Sequence, residues 1–255
     1  MIESVSKRER ALFIAGIVVL LAIIYGRSLF NDFVFWDDPD LILDNPFIRG
    51  LTPQNVVHAF STYDPDLYVP LTTVSYQVNY VLGGLQPFIY HLTNLLLHAG
   101  SSILVGWIAL RLSGKKSIAL VTALLFAVHP VNVETVAWVS ARKDVLSGFF
   151  FLLSLGSFLR WRTDDDRRWY VLALASFLFG LLSKVSILGL PFLLLLSDWH
   201  ASRKFTKNSL LSSLPFFLLS IVFGYVAVFG KLWGTSSLWV KFLVVMQLTA
   251  FSLWH

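Results

Sequence analysis

The sequence predicts an all-α fold, a polytopic transmembrane bundle of about seven or eight spans with a long first outer loop. Three observations carry this. Hydrophobic residues make up 56% of the 255 and charged residues only 14%, where soluble domains carry about 25% charged residues. The mean hydropathy is +0.70. The apolar residues come in runs long enough to cross a bilayer, and the basic residues fall in short clusters between those runs.

Taken in order, the runs are Ala11–Phe30, Phe88–Leu110, Ser117–Trp138, Val145–Leu159, Trp169–Leu182, Val185–Ser197 and Leu210–Gly230, with an eighth starting near Val240 and still running at His255. A span needs about 20 mostly apolar residues. The runs from Val145, Trp169 and Val185 are shorter, and each is expected to borrow a turn of polar residues at its ends, as helices lining a wet cavity can. The first run follows Lys7, Arg8 and Arg10, and no small-x-small cleavage pattern comes after it. It reads as an uncleaved signal anchor.

With a cytoplasmic N-terminus and one crossing per run, the cytoplasmic side holds thirteen of the 20 basic residues, among them Arg111, Lys115, Lys116, Arg160 and Arg162. The outer side holds Arg27, Arg49, Arg142, Lys143, Lys184, Lys231 and Lys241. That asymmetry obeys the positive-inside rule, and several tryptophans fall near run ends as interfacial belts require. The expected location is a bacterial inner (cytoplasmic) membrane, with the chemistry facing the periplasmic or extracellular side. A net charge of +5 without a basic patch makes no case for nucleic acid. The absence of cysteine excludes disulfides, thiol nucleophiles and thiolate zinc sites. The chain carries no internal repeat, heptad pattern or soluble domain.

The outer loop spans residues 26–87, and loops this long usually carry function. Thr52-Pro53 is a cap followed by a first-turn proline, which predicts a short helix over Pro53–Phe60. Val74–Leu82 is apolar with an amphipathic cast and stops at Gly83-Gly84, which predicts a helix along the membrane surface. Near the start of the loop, Trp36 is followed by Asp37-Asp38-Pro39-Asp40 and, shortly after, Asp44-Asn45-Pro46. At a membrane boundary, desolvation and mutual repulsion raise one carboxylate of such a pair toward a usable base. The plainer alternative is a solvated turn, since Asp-Pro and Asn-Pro are turn formers.

The same orientation brings His91, His129, Glu134, Arg142, Lys143, Asp144 and Lys184 to outer ends of spans. His129-Pro130 interrupts the third run. His91, Asn94 and His98 form one polar stripe down the second, where interhelical hydrogen bonding is the plainer role for His98. Arg142-Lys143-Asp144 reads equally as a solvated turn with a local ion pair. Lys184, between two apolar runs, calls for an anionic partner. P-loop, dinucleotide and nucleophile-elbow patterns are absent, and the histidines lack zinc-site spacing. Carboxylates and cations beside a lipid phase suit a lipid-linked phosphate substrate, with the cations holding phosphate and an aspartate taking a proton from an attacking hydroxyl.

Trp36-Asp37-Asp38, Asp44-Asn45-Pro46, Tyr68-Val69-Pro70-Leu71-Thr72, Tyr90-His91-Leu92-Thr93-Asn94 through His98, His129-Pro130-Val131-Asn132-Val133-Glu134, and Trp138 through Arg142-Lys143-Asp144 form an ordered series. In order and spacing it resembles the bacterial relatives of the transmembrane and tetratricopeptide-repeat O-mannosyltransferases, polytopic glycosyltransferases of the GT-C type. The resemblance implies a GT-C-like bundle and transfer of a sugar from a polyprenyl phosphate to an acceptor on the outer face. It implies that the catalytic base is an acidic residue of the first outer loop, mapping here to Asp37 or Asp38, and that the acceptor is a Ser or Thr hydroxyl of a protein, a glycan being the alternative acceptor. No metal is implied for protein O-mannosyltransferases, although some other GT-C enzymes use a divalent ion. By physical analogy Lys184, Arg142 and Lys143 are placed near the donor phosphate, with His91, His129, Glu134, Asp144 and Asn45 as a supporting outer cluster.

Two departures stand out. Many relatives carry Glu after the lysine matched by Lys184, whereas this chain has Val185. Family members also continue into further spans and tetratricopeptide repeats, neither of which is present within 1–255, so the sequence is read as an N-terminal membrane portion. Two other functions compete with transfer. A non-catalytic membrane anchor or assembly partner accounts for the missing repeats but not for the outer acid–base set. A transporter of lipid-linked substrate is disfavoured because transporters place ionisable residues near the midplane and show internal repeats.

Overall fold

The computed structural model describes residues 5–63, 67–204 and 206–232. The eighth run expected from Val240 lies outside them. Within the described residues the fold is all-helical. Its helices are α1 (Lys7–Tyr25), α2 (Pro53–Ser61), α3 (Pro70–Gly83), α4 (Pro87–Ser113), α5 (Lys116–Val128), α6 (Asn132–Ala137), α7 (Arg142–Asp164), α8 (Arg167–Ser183), α9 (Leu190–Ser202) and α10 (Lys207–Leu232).

Local chemistry sets the boundaries. Ser6 and Glu9 cap α1 reciprocally, the Ser6 hydroxyl accepting from Glu9 N (3.2 Å) and the Glu9 carboxylate from Ser6 N (2.7 Å). Thr52 caps α2 by accepting from Asn55 N, with Pro53 in the first turn. Gly114 ends α4 at φ +70°, a conformation that costs glycine little. The expected single span over Ser117–Trp138 is two pieces: residues before proline are pushed out of the helical region, so His129 is extended ahead of Pro130, α5 stops at Val128, and α6 restarts at Asn132. The run expected over Val145–Leu159 is longer than the apolar stretch suggests. α7 takes in Arg142-Lys143-Asp144 at one end and Arg160 to Asp164 at the other.

Polar contacts sort the helix ends into two groups. At one end Lys116 Nζ lies 2.8 Å from Glu9, Arg111 pairs with Asp164 at 3.6 Å, Arg162 binds Asp198, and the Tyr170 hydroxyl donates to Ser212 O. At the other end Asp38 meets Ser140, Arg142 meets Asn94, Thr72 meets Ser183 O, and Ser220 donates to Leu188 O. The chain therefore alternates between ends through α1, α4, α5–α6, α7, α8, Val185–Ser202 and α10.

Among the described residues, four helical stretches, Lys7–Phe30, Pro87–Ser113, Val139–Asp164 and Lys207–Val228, are long and apolar enough to cross a membrane. Several such helices mark a membrane protein. The remaining passes are shorter; the 17 residues of α8 reach about 25 Å against a hydrocarbon core of about 30 Å. Leu12, Val19 and Ile23 on α1 and Ile221 and Val222 on α10 are exposed, as side chains facing lipid would be.

Two apolar clusters hold the bundle. In one, Ile17, Leu21 and Tyr25 of α1 pack with Leu95, Ala99, Ala123 and Ala127. In the other, Phe158, Phe177, Leu181, Leu194 and Phe216 join α7 through α10. Small residues allow close approach. A β-carbon on Gly156 would lie 2.4 Å from the Trp107 ring, so the ring of α4 packs directly on the backbone of α7 at this glycine. A third cluster of Leu41, Ile42, Ile48, Tyr76, Tyr90 and Val139 lies under the first loop and fixes it to the bundle.

Candidate active site

Helix α3 turns its polar side inward. Thr72, Thr73, Tyr76, Gln77 and Asn79 are buried while Val78, Val81 and Leu82 are exposed. It starts at Pro70, before the predicted Val74, because proline is favoured at the first helical position. Its buried polar groups, with α4 and the start of α7, build the polar end of the bundle. Beside them the loop closes a wide turn, Asp44 N bonding back to Pro39 O at 2.8 Å. Asn45 is buried and accepts from Phe47 N (2.9 Å), so it shapes the turn that follows.

A cavity of about 240 Å³ opens here, lined by Asp37, Asp40, Leu41, Leu67, Val69, Thr72, Thr73, Tyr76, Ser140 and Lys143. Asp37 lies 3.6 Å from Lys143 Nζ, and its side chain is 38% exposed. In the same loop the Tyr68 hydroxyl donates to Phe60 O (3.1 Å); burial, aided by neighbouring Tyr63, pushes its pKa above the ordinary phenol value, so it stays neutral.

Asp38 behaves differently from its neighbour. It is fully buried: one oxygen accepts from the Ser140 backbone N–H (3.1 Å) and from the Ser140 hydroxyl, and the other accepts from Val34 N (2.8 Å). Its lone pairs are engaged in holding the loop onto the turn before α7.

Arg142, Lys143 and Asp144 occupy successive positions of the first turn of α7. Successive helical residues point about 100° apart, so the three leave in different directions. Arg142 goes inward and is completely buried. Its Nε donates to Asn94 Oδ1, Nη1 to Asn79 Oδ1 (2.9 Å) and Ser75 Oγ (3.2 Å), and Nη2 to Tyr90 O (2.7 Å). The guanidinium also lies over the Tyr76 ring at 5.3 Å. Expected to hold a donor phosphate, it is enclosed by these partners and is not among the residues that line the cavity. Lys143 goes to the cavity. Asp144 goes to Lys184, 2.5 Å away, whose extended backbone between α8 and the Val185–Gly189 turn leaves its side chain free to reach α7.

The predicted histidines divide. His91 is buried beneath the site, its ring beside the backbones of Asn31 and Ala137. His98 is buried with Nε2 at 3.1 Å from Ala127 O and its ring edge-on to Tyr25, the interhelical role expected of it. His129 and Glu134 are exposed and do not line the cavity; His129 Nδ1 accepts from Val131 N instead. The supporting cluster expected at the outer ends is thus not one constellation. Asp40, Thr72, Thr73 and Tyr76 line the cavity without having been singled out as site residues. The three-residue spacing of Asp37 and Asp40 is the signal that links the two carboxylates. Among the described residues no group of three or more His, Asp or Glu is arranged to hold a metal ion.

No family model matches the chain, and no solved structure does. It is 36% identical over 172 residues to the human protein O-mannosyl-transferase TMTC3, covering 64% of this chain and 18% of that protein. It is 38% identical over 170 residues to mouse protein O-mannosyl-transferase TMTC1, covering 61% and 18%. To mouse protein O-mannosyl-transferase TMTC2 it is 41% identical over 147 residues, covering 54% and 17%. The match takes in about a fifth of the length of these relatives. Over that stretch the chain is homologous to proteins named as O-mannosyl-transferases.

Proposed function

We propose that this chain forms the catalytic end of a membrane glycosyltransferase of GT-C type, moving a mannose-like sugar from a polyprenyl-phosphate donor to a Ser or Thr hydroxyl of a protein. The observation that carries the reading is the cavity in which a partly exposed carboxylate, Asp37, sits beside an ammonium, Lys143, in a chain homologous to protein O-mannosyl-transferases.

In the proposed step Asp37 accepts the proton of the acceptor hydroxyl as its oxygen attacks the anomeric carbon. The bond from that carbon to the phosphate oxygen breaks, and the electron pair leaves with the polyprenyl phosphate. Lys143 neutralises the charge gathering on the leaving phosphate, assisted by Lys184, which is held to α7 through Asp144. Asp40 and Thr73 are suited to hold sugar hydroxyls. Arg142 and Asp38 act on positioning alone, one satisfying buried acceptors on α3 and α4 and the other clamping the loop that carries Asp37.

All seven alternating passes are proposed to cross the bilayer, with the N-terminus cytoplasmic and the Asp37 end facing the periplasm of a bacterial inner membrane. The shorter ones are completed by polar turns where they face protein rather than lipid. The positive-inside asymmetry supports that orientation.

The test is transfer of labelled sugar by the purified chain in lipid, offered a panel of polyprenyl-phosphate sugars and Ser/Thr peptides. Label on the peptide hydroxyl supports the reading. Correct insertion with no transfer from any donor favours the non-catalytic anchor.

A further inference from the structure

At the end of the bundle opposite Asp37, α1, α4 and α5 leave a groove of about 800 Å³. Its floor is apolar, with Leu12, Phe13, Ile103 and Leu120 along it, and α1 comes close to α4 because position 106 is glycine: a β-carbon there would lie 2.7 Å from the Phe13 ring. The rim is basic. Arg10, Arg111, Lys116 and Arg160 all line the groove. Among the described residues, Glu9 lies 2.8 Å from Lys116, and Asp164 is shared between Arg111 and Arg160. Arg111 reaches Asp164 only at 3.6 Å, and Arg10 donates to a backbone carbonyl, Val5 O, at 3.2 Å. Among the described residues, four cations and one carboxylate, Glu9, line this apolar groove.

We propose that this groove holds one anionic phospholipid, its acyl chains along the apolar floor and its phosphate among Arg10, Arg111 and Lys116. Two features favour a lipid headgroup over a free anion. The cations open onto an apolar trough rather than a polar pocket, and the groove lies between helices whose exposed faces are themselves apolar. A basic pocket between spanning helices is the arrangement that selects acidic headgroups. The inference rests on the chain lying in a bilayer and on nothing about transfer. Its role would be to fix α1 against α4 and α5 through a lipid that is part of the folded unit.

The test is native mass spectrometry of the full chain released from nanodiscs of equal phosphatidylglycerol and phosphatidylcholine. One retained phosphatidylglycerol is expected, in strong excess over phosphatidylcholine and not displaced by inorganic phosphate. At about fivefold per cation, Arg10→Gln with Lys116→Gln lowers the preference by about 25-fold, whereas Arg10→Lys with Lys116→Arg keeps it. Adducts in the ratio of the lipid mixture would overturn the proposal, as would displacement by phosphate or equal retention by the Gln and the conservative variants. Such a result leaves the transferase reading untouched. Conversely, absent transfer with intact lipid selectivity defeats the transferase reading alone.

Discussion

The Asp38 carboxylate and Ser140 are 102 residues apart in sequence, yet both the backbone N–H and the hydroxyl of Ser140 donate to one Asp38 oxygen. This contact ties the first loop to the start of α7, and so holds Asp37 within 3.6 Å of Lys143. Adjacent residues in the chain therefore do opposite work, one anchoring and one open to the cavity.

Asp38→Ala is expected to destabilise the protein rather than merely slow it. It leaves the buried Ser140 N–H without an acceptor, at about 1–3 kcal/mol for an unsatisfied buried group, and releases Val34 N, which lies on an exposed residue. The check is thermal unfolding in detergent, where Asp38→Ala melts well below wild type and Asp37→Asn melts with it.

Arg142→Lys should behave as a folding defect. One ammonium cannot satisfy Asn94, Asn79, Ser75 and the Tyr90 carbonyl together, and the planar fork is not reproduced. A loss of about 3 kcal/mol or more is expected, on the scale of a broken buried charge network. Unfolding and expression yield report it. A variant of normal stability whose only change is a higher KM for donor would mean that Arg142 touches the phosphate.

Lys143→Gln is expected to lower transfer by about 100-fold, the scale for removing one donor to a developing anion, while melting near wild type because the side chain lies at the cavity rather than in the core. Lys143→Arg should recover part of the rate. Single-turnover transfer at saturating donor measures the effect.

Gly156→Ala should cost more than Gly180→Ala. The new methyl at 156 meets the rigid Trp107 ring at 2.4 Å, while at 180 it meets the movable tip of Ile187. Overpacking of the first kind costs about 1–3 kcal/mol. Paired unfolding curves of the two variants decide it.

Much of this was legible in the chain. The seven apolar runs within the described residues fall mainly on helices, four of them long and apolar enough to cross a membrane, and Thr52-Pro53 announced α2. The break at His129-Pro130 was visible as well, though not that it splits the pass into two helices. What the sequence could not disclose was direction. Nothing in Asp37-Asp38 says which carboxylate will find Ser140. Nothing in Arg142-Lys143-Asp144 says which of the three turns inward, because that depends on acceptors supplied by α3 and α4 from far along the chain. His129 and Glu134 misled because position at one end of the bundle is a weaker statement than position at one cavity. The inward polar face of α3 was hidden for a related reason: a helix packed on protein at its polar side reads much like one lying on a membrane surface.

The central claim is that Asp37, and not Asp38, takes the proton from the acceptor. The most direct measurement is the rate of labelled-sugar transfer by wild type and by Asp37→Asn, each in lipid and each shown to be folded by its melting curve. Transfer by wild type is expected, with a loss of at least about 100-fold in Asp37→Asn at unchanged melting. Transfer by Asp37→Asn at the wild-type rate would contradict it.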